Sequence, residues 1–302
     1  MNTEVRLSFS RKINFADGHS FGDVGPYERW LGTASFALDP NDSANTNIVD
    51  LEYAPQNAKG LVEFTADLEI MKPVDLSKGN HRILYDVNNR GNKTALSSFN
   101  DAPRNHDPHS LADAGNGYLM RKGYTVVISG WQGDLMPDPA LVIAELPEAI
   151  KDGKPIPGTI RQEFIANDPG VLSMPLSGHR VIRSYEPTDP DNATLTVREL
   201  EHEERQHVNK DEWSFSTVSA DLTGSLKIVP SPTHLYIKNG FKPGHIYELI
   251  YNTQGSRVME LGMVGIRDLL SFLRYDDTDA NGAANPLAGE IEKTYTYGQS
   301  LS

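Results

Sequence analysis

The chain contains no cysteine in its 302 residues, which excludes disulfides, thiol nucleophiles and thiolate metal sites. It also lacks any stripe of Lys and Arg: 28 basic against 41 acidic residues give a net charge of −13. That balance repels polyanions, so neither nucleic acid nor an anionic membrane surface is expected as a partner. No stretch approaches the roughly 18 apolar residues of a membrane span, and residues 1–15 alternate charged and apolar side chains without the apolar block of a signal peptide. The cytoplasm is therefore the expected compartment. What is present, 38% hydrophobic and 23% charged residues, suits a globular chain forming one large domain or a core with an insertion.

Residues 1–75 read as a β-rich N-terminal layer, because period-two runs such as Leu61 to Ala66 alternate with Gly, Pro, Asn and Asp clusters. Residues 76–135 change texture. Two short, mostly apolar runs, Arg82 to Val87 and Tyr124 to Ser129, are expected as strands covered on both faces. Each ends in a polar, Gly-containing loop, Asn88-Asn89-Arg90-Gly91 and Gly130-Trp131-Gln132-Gly133-Asp134; ligands bind at such strand ends in open α/β sheets. Residues 136–245, rich in Pro turns and carrying a solvated charged run from Glu199 to Glu212, read as an inserted, partly β subdomain. Residues 246–302 return to the core. There Met259, Met263, Ile266, Leu270 and Leu273 step at helical spacing, and a β-prone run, Tyr295-Thr296-Tyr297, leads into Gly298-Gln299-Ser300-Leu301-Ser302.

Two serines compete for a nucleophile elbow, the tight strand-to-helix turn with small residues two before and two after the Ser. Gly18-His19-Ser20-Phe21-Gly22 matches the G-x-S-x-G spelling, but the Gly25-Pro26 pair that follows blocks the required helix. A Gly-rich turn between two strands is expected there. Ser300 has the smaller match but the right predecessors: two doubly covered strands with polar loops, an amphipathic helix, then a strand ending on Gly. The expected fold class is α/β, an incomplete α/β-hydrolase core with a mixed or parallel sheet, a β-rich N-terminal layer and an inserted β-rich subdomain.

Several stretches together resemble the large "alpha/beta hydrolase domain" family of bacterial and fungal proteins. They include Gly25-Pro26-Tyr27-Glu28, Asn88-Asn89-Arg90-Gly91-Asn92-Lys93, Gly130-Trp131-Gln132-Gly133-Asp134, Asn285-Pro286-Leu287-Ala288-Gly289 and the terminal Tyr297-Gly298-Gln299-Ser300-Leu301-Ser302. The resemblance implies a serine hydrolase acting on carboxylic esters, with Ser300 as the nucleophile. The triad acid and His follow the nucleophile in such enzymes, so they are expected beyond residue 302 and the chain alone is expected to be inactive. One oxyanion donor is expected from the backbone N–H of Leu301 and another from the loop of Asn88 and Asn89, with Arg90 able to anchor that loop. Trp131 and Gln132 are candidates for the pocket wall, though a Trp serves packing as readily.

No cofactor and no metal is expected. The nine histidines are scattered without a ligand pair. Asp277-Thr278-Asp279-Ala280-Asn281-Gly282 copies the first half of a calcium-binding EF-hand loop, but Ala288 stands where a bidentate Glu is required. A small-molecule ester is the expected partner, and the oligomeric state is left open. The competing reading is a noncatalytic, β-rich protein that binds a ligand or another protein and keeps a vestigial elbow.

Overall fold

The computed structural model describes residues 3–220 and 225–302, which divide into two compact units, Met1–Glu148 with Arg257–Ser302, and Ala149–Ser256.

The first unit opens with three long antiparallel strands, β1 (Thr3–Asn14), β2 (Tyr27–Leu38) and β3 (Val62–Pro73). β3 explains the layering in its own sequence. Val62, Phe64, Ala66 and Leu68 are buried while Glu63 and Asp67 face water, so one face is wet; from Leu68 to Pro73 every side chain is buried. The change coincides with pairing of Leu68 to Met71 against the next covered strand, because a strand with elements on both faces needs no polar side. β4 (Arg82–Val87) and β5 (Thr125–Ser129) supply that doubly covered region and run parallel. The connection between them contains α1 (Ala95–Phe99) and α2 (Tyr118–Arg121). β6 (Ala144–Glu145) pairs with β3.

Among its described residues the second unit is built of strands and short 3-10 turns. β7 (Ile150–Lys151) and β8 (Lys154–Pro155) form a hairpin, and β9 (Pro157–Ile165) and β10 (Ser173–Pro175) follow. Next come β11 (Thr194–Arg198), β12 (Gln206–His207), β13 (Trp213–Ala220), β14 (Leu226–Ile237) and β15 (Ile246–Gln254). They form a sheet of order β12-β11-β15-β9 and another of order β10-β14-β13. Phe164, Leu195, Tyr247 and Leu249 from the first sheet join Trp213, Leu235 and Ile237 from the second in a single apolar cluster. The range 246–302 is thus shared: β15 pairs on both sides within this unit, and the chain re-enters the first unit at Arg257.

After re-entry come α3 (Leu261–Tyr275) and β16 (Lys293–Gly298). The main path through the first unit's sheet reads β1-β2-β3-β5-β4-β16, with β16 parallel to β4 at its edge. α3 lies with Gly265 against the stacked rings of Phe36 and Phe64, 4.7 Å apart. Its start is set by a close approach: a Cβ on Gly262 would overlap the carbonyl oxygen of Trp131.

The expected α/β-hydrolase core does not form. Among the described residues the molecule is β-rich, 39% strand and 16% helix, with only three α-helices and several separate sheets. The alternation of strand and covering helix fails where it was most needed, between β4 and β5. There α1 and α2 are five and four residues long, because Pro103, Pro108, Gly115 and Gly117 interrupt the connection. Helices that short gain too few hydrogen bonds to offset nucleation, and Pro and Gly are poor helix residues. No helix among the described residues is long and apolar enough to cross a membrane.

Candidate functional site

Parallel pairing of β16 with β4 runs from Lys293 opposite Arg82 to Gly298 opposite Val87, so the loop after each strand opens at the same end of the sheet. Beyond β4, residues 88–92 form a tight turn. Asn89 and Asn92 exchange backbone hydrogen bonds of 3.1 and 3.0 Å, and the two residues between them, Arg90 (φ 49°) and Gly91 (φ 77°), are left-handed, as a type I′ turn requires. Asn88 is fully buried. Its Nδ2 donates to the Ser129 carbonyl (2.7 Å), its Oδ1 accepts from Gly91 N–H (3.0 Å), and its own carbonyl accepts from the Trp131 indole (2.7 Å).

Past β16 the chain turns at Gln299, where Ser302 N–H donates back to the Gln299 carbonyl. Asn89 Nδ2 donates to that same carbonyl at 2.8 Å, fixing the turn to the β4 loop. β16 is also held from below: Tyr297 O–H donates to Ser98 Oγ (2.9 Å), and its ring meets Phe99 edge-on. Ser300 at the apex is exposed and has φ 65°, a left-handed conformation that a residue with a Cβ adopts only when its surroundings hold it there.

Ser300 and Gln299 form one wall of a cleft of about 320 Å³. Asn89, Asn92, Lys93 and Thr94 form the facing wall, and Arg104, Asn105 and His106 close it. Among the described residues no carboxylate lines it, and the His106 ring has no hydrogen-bond partner there. Leu301 sits beside Ser300, half exposed, and its N–H has no hydrogen-bond partner among the described residues. Trp131 and Gln132 lie elsewhere: Trp131 is tied to Asn88 as described, and Gln132 is buried with its Oε1 unpaired. Of the sequence candidates the cleft therefore gathers Ser300 and Asn89. The Asn89 N–H, spent on Asn92, is not free to serve as an oxyanion donor.

A buried ionic cluster underlies the cleft. Arg29 grips Glu69 with two donors at 2.6 and 3.1 Å, Lys93 Nζ reaches the same carboxylate at 2.5 Å, and Arg29 also meets Asp107 at 2.8 Å. Burial pushes the Glu69 carboxyl up, but Lys93 and Arg29 outweigh it and its pKa falls below the ordinary value. Asp86 differs. Burial raises its pKa although Thr94 Oγ1–H and the N–H groups of Thr94 and Ala95 all donate to it, and these bonds anchor the start of α1. Asp113 organises the far wall, accepting from Asn105 Nδ2 (2.6 Å), His109 N–H (3.0 Å) and Ser110 N–H (2.9 Å). Burial opposes ionisation there too, and these donors overcome it, so its pKa is lowered.

The other sequence signals resolve into structure. Ser20 lies in the turn joining β1 to β2, its hydroxyl on the Gly22 carbonyl at 3.4 Å. In the segment with the EF-hand spelling, Asp279 accepts from the N–H groups of Leu7, Asn281 and Ala283, pinning the loop to β1. No group of three or more possible ligands that could hold a metal ion occurs among the described residues. The loop at the end of β4 was a sequence signal, but Arg104, Asn105 and His106 carried none; Asp113 holds Asn105, and Lys93 holds the His106 carbonyl, through contacts that no spacing rule encodes. No protein-family model, no curated protein and no solved structure matches this chain.

Proposed function

We propose that this chain carries the nucleophile of a serine hydrolase acting on carboxylic esters, the activity implied by the family resemblance. The supporting observation is Ser300: a left-handed serine at the apex of a turn after a parallel strand, anchored through Gln299 by Asn89 and opening on a cleft. In this reading Ser300 Oγ attacks the ester carbonyl carbon while its proton passes to a base. The carbonyl oxygen takes up negative charge and accepts from Leu301 N–H. Expulsion of the alcohol, which carries the proton away, leaves an acyl-serine that water then hydrolyses.

A serine hydroxyl needs a base that a third group holds in place. His106 is the imidazole lining the cleft, and without a carboxylate to orient it the 302-residue chain is expected to hydrolyse p-nitrophenyl acetate no faster than buffer. The reading is tested by treating the protein, as its source makes it, with a fluorophosphonate probe. The label is expected on the peptide containing Ser300 and is expected to vanish in Ser300→Ala. A folded protein that stays unlabelled at Ser300 sinks the reading and leaves the vestigial, noncatalytic binding protein, which the unoriented His106 favours.

A further inference from the structure

The chain carries a net charge of −13, yet none of the residues lining the cleft beside Ser300 is acidic and Lys93, Arg104 and His106 are among them. The charge on Lys93 is answered at 2.5 Å by Glu69. Arg104 is different: it is exposed, and among the described residues it has no carboxylate or hydrogen-bond partner. The segment carrying it is nevertheless fixed. On its far side Asn105 is bonded to Asp113 and the His106 carbonyl accepts from Lys93 Nζ at 2.6 Å.

The amides around it are each held by a partner in the fold. Asn89 donates to Gln299, Asn92 to the carbonyls of Asn89 and Arg90, and Asn105 to Asp113. Glu69 and Asp86, which line an adjoining cavity together with Lys93 and Arg104, are each covered by three donors. The cleft is thus lined by a guanidinium that has no partner among the described residues and by the Ser300 hydroxyl. A guanidinium presents a planar fork of donors that matches the paired oxygens of a carboxylate or phosphate.

We propose that this cleft is an anion-recognising subsite in which Arg104 binds a small oxyanion group carried by the substrate, so that the ester cleaved at Ser300 is a negatively charged one. The substrate assignment rests on the hydrolase reading; the anion site does not, because binding needs no turnover. The cleft's volume of about 320 Å³ admits a short acyl chain ending in such a group.

The test is calorimetric titration of the 302-residue chain with monomethyl succinate, with inorganic phosphate and with neutral dimethyl succinate. The anions are expected to bind and the neutral diester is not. Arg104→Gln should weaken anion binding on the order of tenfold, at an unchanged Tm because the side chain is exposed and unpaired. Arg104→Lys, which keeps the charge but loses the fork, should fall between. Preference for monomethyl succinate over phosphate assigns a carboxylate, and the reverse assigns a phosphate. Equal binding of the neutral diester, or anion binding unaltered by Arg104→Gln, overturns the proposal. Loss of fluorophosphonate labelling with anion binding intact removes the hydrolase reading alone.

Discussion

Asp113 shows how one side chain can fix a functional wall. Its two oxygens accept from Asn105, His109 and Ser110, and the Ser110 hydroxyl adds a further bond at 2.7 Å. Asn at this position keeps the shape but replaces an acceptor with a donor, so Asp113→Asn should cost about 2 kcal/mol at neutral pH. Because the folded pKa lies below the ordinary 3.8, the carboxylate's stabilisation is complete above that value. It is lost as pH falls toward the lower folded value. Thermal unfolding of the two proteins should therefore show a Tm gap that is constant from pH 7 to pH 5 and narrows steadily between pH 4 and pH 2. A gap independent of pH means that the carboxylate is not the stabilising form. Asp86 has the opposite sign: its pKa is raised, so acidification through that value relieves a cost.

At the scale of elements, the strands and the long helix were legible and their surroundings less so. β4 and β5 announce themselves as short apolar runs, and all of β5 is buried. The helical spacing over residues 259–273 corresponds to α3, and Ile266 and Leu273 of the expected stripe are buried, but the buried face is broader and rotated away from Met263. Leu261, Val264, Leu269 and Phe272 are inside while Met263 is 48% exposed. The segment is apolar on more than one side, so several stripes satisfy the same period, and the close approach of Gly262 to Trp131 decides among them. Gly262→Ala tests that contact. Helix propensity alone favours Ala by about 1 kcal/mol, whereas the overlap with the Trp131 carbonyl forces backbone to move and should cost about 1–3 kcal/mol net. A lower Tm is expected; a higher one shows that α3 slides freely. The connection between β4 and β5 was illegible in a different way: the segment carrying Arg104 is held by its neighbours, Asn105 through Asp113 and the His106 carbonyl through Lys93.

At the scale of the whole molecule, each unit holds a buried carboxylate gripped by basic side chains. Arg29 and Glu69, neighbours on β2 and β3, meet fully buried, and in the second unit Glu248 is clasped by Arg161 and Arg205. A buried pair such as Arg29–Glu69 adds little net stability but is costly to break from one side. The second unit has its own apolar cluster from two sheets, and its ends are joined, Ala149 N–H donating to the Ser256 carbonyl at 2.9 Å. A unit with its own core and adjacent termini satisfies the physical conditions for folding alone. Residues 149–256 expressed by themselves should therefore give a β-type circular dichroism spectrum and a single cooperative thermal transition. Trp213, buried in the cluster, should report the same midpoint by fluorescence. A broad, probe-dependent transition, or a Trp213 emission already typical of solvent at low temperature, shows that the cluster does not hold without the rest of the chain.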